Sequence, residues 1–351
     1  MSLLLFLRPS SPFTGFYQEN VTATWNGKGV KICNYTGFTC ATVPGYKMLG
    51  LTGADFHGFG FCNDKGQLTI DNFIGKLPDL VFFHANSNNI TGRIPSSIST
   101  LKYFYELDLS NNKLQGTFPM TVLGATRLTV LDLRFNNLIG PLPPQVFTVD
   151  LEVLFLNKKF NGTIPENLGK TPVSDLTLAN KFTGPIPRSI GQTSKSLLEV
   201  LFLNNRLSCC LPYEIGLLKK TATFDASINQ LTGPIPHSFG CLQQMNQLNL
   251  SYNHLYGPVP EMVCVLPKLS ALTLNNNYFT QVGPECRKLI LKKKLDVRMN
   301  CILGLPSQRS PRRYVPCRIS QLNAEDASKG SLTPEITLAS SPSYAALNRH
   351  R

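Results

Sequence analysis

Along most of the chain, apolar residues recur in short alternating triplets that run into an asparagine. They do not form the broad stripes of amphipathic helices. Around residue 104 the sequence reads F-Y-E-L-D-L-S-N-N-K-L-Q-G-T-F-P, and around residue 128 L-T-V-L-D-L-R-F-N-N-L-I-G-P-L-P. The shared template, L-x-x-L-x-L-x-x-N-x-L-x-G-x-I-P, recurs with glycine at Gly92, Gly116, Gly140, Gly162, Gly184, Gly233 and Gly257, and Cys209 fills the same slot once more. Units begin near Leu80, Phe104, Leu128, Leu151, Val173, Leu198, Thr221, Met245 and Leu269, at spacings of 22 to 25 residues, and a degenerate unit near Leu51 precedes them. Self-similarity at such a period marks a repeat architecture, in which each copy buries its apolar edge only against its neighbours.

The template dictates the local structure. Period-two alternation in L-x-L makes a short strand with leucines on one face and the intervening residues on the other. Copies stack sideways at ~4.8 Å per repeat into a parallel sheet. Asparagine follows the strand because its amide can serve both donors and acceptors of the turning backbone. The Gly-x-Ile-Pro segment returns extended on the far side, where proline cannot join a central ladder. The predicted fold is an α/β leucine-rich repeat solenoid of about ten repeats, with a curved parallel β-sheet on its concave face and disulfide caps. We divide the chain into a degenerate or truncated signal region (1–19), an N-terminal cap (20–50, with Trp25), the repeats (51–284), a C-terminal cysteine cap (285–317) and a disordered tail (318–351).

Length and composition agree. The 351 residues are 42% hydrophobic and only 16% charged, with 26 Gly and 25 Pro, as expected of a turn-rich chain that buries a large core. The longest apolar run, Leu3 to Leu7, is far short of the ~20 residues that span a bilayer. It is also a poor signal peptide, with no basic residue before it. The net charge of +13 is local: from Arg287 onward there are 13 Lys/Arg against 4 Asp/Glu, while the first 286 residues carry 21 against 17. No base-reading motif accompanies the basic end, which argues against nucleic acid as a partner. Phosphate-binding glycine loops and the Gly-x-Ser-x-Gly elbow are missing, so neither an enzyme nor a cofactor is expected.

Ten cysteines and the sequons at Asn20, Asn34, Asn89, Asn161 and Asn249 point to an oxidising, glycosylating compartment, hence a secreted chain. Asn249 lies within a strand, which disfavours its use. No Cys-x2-Cys spacing occurs and the five histidines are scattered, so no metal site is expected. Cys33 with Cys40 closes the N-cap, and Cys264 with Cys286 and Cys301 with Cys317 close the C-cap; Cys210 and Cys241, in adjacent repeats, are a further candidate pair. Cys62 and Cys209 are then left over, six strand steps or ~29 Å apart. That exceeds the ~7 Å reach of a disulfide, so free thiols or a bridge in a homodimer are expected.

The residues between the inward leucines build the candidate binding face. The central column reads His84, Asp108, Asp132, Phe155, Thr177, Phe202, Asp225, Asn249 and Thr273, flanked by Phe82, Glu106, Arg134, Phe135, Asp175 and Tyr252. A rigid, partly aromatic surface with interspersed acids and no lysine suits a basic peptide or protein partner.

Four segments carry a closer resemblance. Phe83-His84-Ala85-Asn86-Ser87-Asn88, Phe239-Gly240-Cys241, Tyr278-Phe279-Thr280-Gln281-Val282-Gly283-Pro284-Glu285-Cys286 and Asn300-Cys301-Ile302-Leu303-Gly304-Leu305-Pro306 resemble the plant leucine-rich repeat extensin-like family over roughly residues 20 to 317. The resemblance implies secretion to the plant cell wall or extracellular space, a repeat domain that binds small basic cysteine-rich signalling peptides, and an extensin half that anchors the protein in the wall, in contact with its polysaccharide. No Ser-Pro-Pro-Pro-Pro tract occurs here. In three consecutive repeats the turn after the strand reads one residue short (Leu156 to Phe160, Leu178 to Phe182, Leu203 to Leu207), with the asparagine slot compromised in each; drift in the gene copy accounts for this better than a remodelled face. An alternative function on the same type of repeat is inhibition of a secreted polygalacturonase. A receptor ectodomain would need a membrane span.

Overall fold

The computed structural model describes residues 32–43, 47–61, 69–70, 73–157 and 159–310. The signal region, Trp25, Asn20, Cys62, Cys317 and the tail lie outside these residues. Contacts divide the chain into Met1–Gln308 and Arg309–Arg351, and the fold below is that of the first unit.

One twelve-stranded sheet carries the fold. Its strands, numbered in chain order, are β1 (Phe38–Thr42), β2 (Leu49–Asp55), β3 (Phe82–His84), β4 (Glu106–Asp108), β5 (Val130–Asp132) and β6 (Val153–Asn157), followed by β7 (Asp175–Ala179), β8 (Glu199–Leu201), β9 (Thr223–Asp225), β10 (Gln247–Asn249), β11 (Ala271–Thr273) and β12 (Leu295–Asp296). They pair in sequence order, β1 antiparallel to β2 and the rest parallel, as a right-handed repeat must place them. Short second strands such as Thr91–Gly92 and Lys113–Gly116 follow each turn, and a 3-10 helix such as Met120–Gly124 or Tyr213–Leu217 brings the chain back. Pro at the residue before each of these helices fixes the entry φ near −65°. Among the described residues two α-helices, α1 (Glu261–Cys264) and α2 (Pro284–Leu291), lie toward the C-terminal end of the array.

The core is a stack of fully buried Leu, Ile and Phe layers, and its N-terminal end is sealed by rings. Phe56 packs edge-on against Phe38, Phe61 and Phe83. Each such ring contributes about 2–3 kcal/mol of burial. Above the core runs an asparagine ladder. Asn136 is typical: its Nδ2 donates to Leu109 O and Leu133 O, and its Oδ1 accepts from Leu114 N one repeat back. Asn112, Asn205, Asn229, Asn253, Asn277 and Asn300 repeat the arrangement.

Three expectations need correction here. The unit assigned to begin at Leu198 begins at Leu197: Val200 and Phe202 point into the core and Glu199 and Leu201 point out. Its turn is therefore of full length, and Asn205 occupies the ladder, donating to Phe202 O and Leu203 O. The other two short turns are real. Asn180 still holds a reduced rung, donating to Leu156 O. Full-length turns place one residue at positive φ just before the ladder asparagine (Asn111, Phe135, Asn204, Ile228, Tyr252), but none of residues 179–181 adopts it. Without that corner β7 runs on. β6 and β7 pair over five positions, from Val153↔Asp175 to Asn157↔Ala179, where each pairs with its other neighbour over three.

The cysteines are the third correction. Cys33–Cys40 and Cys264–Cys286 are disulfides, with Cα separations of 5.5 and 5.1 Å. Cys301 is also disulfide-bonded, and its expected partner lies outside the described residues. Cys210 and Cys241, expected to pair, are free and exposed, as is Cys209. Cys241 ends its 3-10 helix at the level of Leu217 one repeat earlier. The whole helix Tyr213–Leu217 thus stands between that level and Cys210, about 10 Å at ~2 Å per residue and beyond the ~7 Å limit. Cys209 has φ 67° in the slot where Gly233 has 83° and Gly257 has 83°. A Cβ there costs about 1 kcal/mol. Cys209→Gly is therefore expected to raise the melting temperature by about 2 °C, measured by calorimetry under reducing conditions; a lower value would show that the side chain is held by a compensating contact.

Candidate functional site

Two outward columns cover the described concave face. The first runs Phe82, Glu106, Val130, Val153, Asp175, Glu199, Thr223, Gln247 and Ala271, and the second His84, Asp108, Asp132, Phe155, Thr177, Leu201, Asp225, Asn249 and Thr273. Neighbours in a column stand one strand apart, ~4.8 Å.

At the N-terminal end, His84 Nε2 lies 3.1 Å from Glu106 Oε1, and the His84 ring leans on Phe82 with centroids 5.0 Å apart. Asp108 Oδ1 accepts from Ser110 N and is otherwise open to the face. Asp132 differs. It is 6% exposed, and Arg134 Nε and Nη2 grip both of its oxygens at 2.6–3.1 Å. Burial pushes the Asp132 carboxyl up from the usual carboxylate range, and the Arg134 guanidinium pulls it back. That guanidinium also lies over the Phe155 ring, 4.5 Å from its centroid. Asp132, Arg134 and Phe155 thus form one self-satisfied unit, so Asp132 is not an open counter-charge for a ligand.

The centre has a different character. Phe155, Thr177 and Leu201 make an apolar floor across three strands, and beside it Asp175 and Glu199 stand in register on adjacent strands. Among the described residues no cation forms an ion pair with either carboxylate. Asp175 Oδ2 accepts from Ser174 Oγ. Glu199 is pushed above the ordinary glutamate range, first by burial and second by the negative charge of Asp175. Two like charges side by side are a standing cost that a cationic group would relieve. Further on, Asp225 accepts from Ser227 N at 2.8 Å and from Asn249 Nδ2 at 2.9 Å, which leaves its charge uncompensated.

The structure redistributes the sequence candidates. His84, Asp108, Asp132, Phe155 and Asp225 all lie on the face. Phe202 does not: it is 0% exposed and packs edge-on against Phe224, because a slip of one residue turns a strand side chain to the opposite face. Leu201 takes its place. Tyr252 is 54% exposed but sits at the positive-φ corner after its strand, on the rim with Phe135 and Ile228. Glu199 was missed by the same slip. Counting three residues back from Asn205, as Leu133 precedes Asn136, would have found it. Among the sequons, Asn34 and Asn161 are exposed and Asn89 half-buried, while Asn249 is tied to Asp225 and Ser251 on the sheet. Among the described residues no group of three or more His, Cys, Asp or Glu could hold a metal ion, and no helix is long and apolar enough to cross a membrane.

The family described as Leucine Rich Repeat matches residues 104–124 and 127–148, on the two units read first from the sequence. The chain carries leucine-rich repeats and has the leucine-rich repeat solenoid fold. Its repeats are similar to those of leucine-rich repeat extensin-like protein 2 of Arabidopsis thaliana, 39% identical over 204 residues, 58% of this chain and 22% of that protein. Leucine-rich repeat extensin-like protein 6 of the same plant is 39% identical over 212 residues, 59% of this chain and 44% of that protein. The resemblance read from the sequence therefore holds, and this leucine-rich repeat chain spans less than half the length of either relative. Among solved structures, the Arabidopsis receptor kinase HAESA in complex with the peptide hormone IDA and the co-receptor SERK1 superposes at TM-score 0.61 and 26% identity, covering 83% of this chain and 55% of that one. A plant ice-binding protein superposes equally well, at TM-score 0.61 and 25% identity over 75% of this chain and 82% of that one. The leucine-rich repeat fold alone does not choose a ligand.

Proposed function

We infer that this leucine-rich repeat array is an extracellular recognition module that binds a basic peptide, or a basic protein surface, on its concave face, in cell-wall signalling or wall integrity. The observation that carries the reading is the unneutralised Asp175–Glu199 pair beside the Phe155–Thr177–Leu201 floor. A lysine or arginine of the ligand would take up both carboxylates while its neighbours cover the floor. His84 with Glu106, Asp108 and Asp225 extend the acidic surface to either side. A receptor of the same fold that is solved with a peptide hormone supports a peptide as ligand, and the disulfides suit an oxidising extracellular space.

The test is capture of secreted plant peptides by the purified protein, with identification by mass spectrometry. Enrichment of basic cysteine-rich peptides, lost in Asp175→Asn/Glu199→Gln, is the expected outcome. Enrichment of a polygalacturonase instead, or capture unchanged in the double variant, would overturn the reading.

A further inference from the structure

The concave acids have a counterpart that the binding reading leaves unused. Each repeat hands the chain from its 3-10 or α-helix back to the sheet through a short exposed edge. In most repeats that edge carries a cation. Lys102 lies between the helix Ser96–Thr100 and β4, and Arg127 between Met120–Gly124 and β5. Lys170 ends the helix Glu166–Lys170 before β7, and Lys195 lies between Arg188–Thr193 and β8. Lys219 and Lys220 precede β9, Lys268 lies between α1 and β11, and Lys292 and Lys293 follow α2. All nine are exposed. None pairs with a carboxylate among the described residues. Only Asp150 and the Gln243–Gln244 pair interrupt the row between Lys102 and Lys293.

Cations are common on any surface, but here they recur within a few residues of one another on the same helix-to-strand edge in most repeats, none paired with a carboxylate among the described residues, while the opposite charge collects on the concave strands. Stacked at ~4.8 Å, they form a line of eight repeat steps, ~38 Å long. Each lysine raises the local potential felt by the next, a cost that a bound polyanion would repay by neutralising several at once.

We propose that this edge binds a linear acidic polysaccharide, a chain bearing one carboxylate per sugar. The row is one-dimensional, as an extended polymer is. It offers no ladder of aromatic rings for bases to stack on; its half-buried Tyr103 is already flanked by Lys102 and Arg127, at 5.4 and 6.0 Å. It also presents point charges, which suit carboxylates without demanding bidentate geometry. The disulfides place the chain where such polymers, not nucleic acids, are met. The densest stretch is Lys170, Lys195 and the Lys219–Lys220 pair, in three successive repeats.

The test is equilibrium binding of the full chain to polygalacturonate at low and high salt, with the fully methyl-esterified polymer as the uncharged control. The wild type is expected to bind only the acidic polymer, with affinity falling steeply as salt rises, because binding releases counterions from a polyelectrolyte. Changing Lys170, Lys195, Lys219 and Lys220 together to Gln should weaken binding by roughly tenfold or more and flatten the salt dependence. Asp150→Lys, which closes the gap in the row, should strengthen it. The Asp175→Asn/Glu199→Gln variant should bind the polymer as the wild type does, which separates this edge from the concave face. Equal affinity for the esterified polymer, no loss in the quadruple variant with its circular dichroism intact, or tighter binding to anionic vesicles or DNA than to polygalacturonate would each overturn the proposal.

Discussion

Replacing Asn229 with leucine is expected to lower the unfolding free energy by about 4 kcal/mol, although volume hardly changes. The Asn229 amide accepts from Leu207 N and donates to Phe202 O, Ala226 O and Ser227 O. It is 8% exposed, so the groups it abandons find no water. Each orphaned buried donor or acceptor costs about 1–3 kcal/mol. Asn229→Asp, which keeps the acceptor and loses both donors, should be no better, since its oxygens would face the carbonyls of Phe202 and Ala226. The array transmits stability only between neighbours. Amide exchange should therefore accelerate first in the units on either side, those of Phe202 and Leu250. Chemical denaturation with a loss under about 1 kcal/mol would show that the ladder is ornamental.

The second large effect concerns affinity. Changing Asp175 to Asn and Glu199 to Gln should weaken a basic peptide ligand by roughly tenfold to a hundredfold, the range of one charge-assisted pair. High salt should shrink the difference, because exposed charges are screened within ~8–10 Å. The unliganded protein should respond in the opposite sense. Glu199 is pushed above its unfolded value, so between the two values the native state binds more protons, and stability falls as pH rises through them. Glu199→Gln removes that cost at neutral pH and leaves stability nearly unchanged below the unfolded glutamate value of 4.5. The side chain is partly exposed, so the gain is only a few tenths of a kcal/mol. A variant that loses both affinity and neutral-pH stability would mean that the pair is structural. By contrast, Asp132→Asn should barely change affinity, since Arg134 already holds that carboxylate.

The chain's own residues determined the repeat, its period, the strand alternation and the asparagine ladder, because each is a local answer to a local demand. A buried turn needs an amide, a positive-φ corner prefers glycine, and a parallel stack needs an apolar face at every second residue. Cys33 and Cys40 were legible for the same reason: the loop between them is short. What the local pattern left open, only stacking decided. The run Leu197-Leu198-Glu199-Val200-Leu201-Phe202-Leu203 is apolar on both parities, so either register satisfies its own alternation. Val200 packs between Leu176 and Phe224 because the neighbouring strands and the Asn205 rung choose for it. That choice turned Phe202 inward and brought Glu199 beside Asp175. Cys210 and Cys241 lie in adjacent repeats, but the whole helix Tyr213–Leu217 separates their levels, and a linear sequence does not show height along the repeat. The edge cations are likewise scattered over nearly two hundred residues of chain and form a row only when the repeats are laid on one another. Charge acts through space, and the solenoid converts a period in sequence into a distance of one strand.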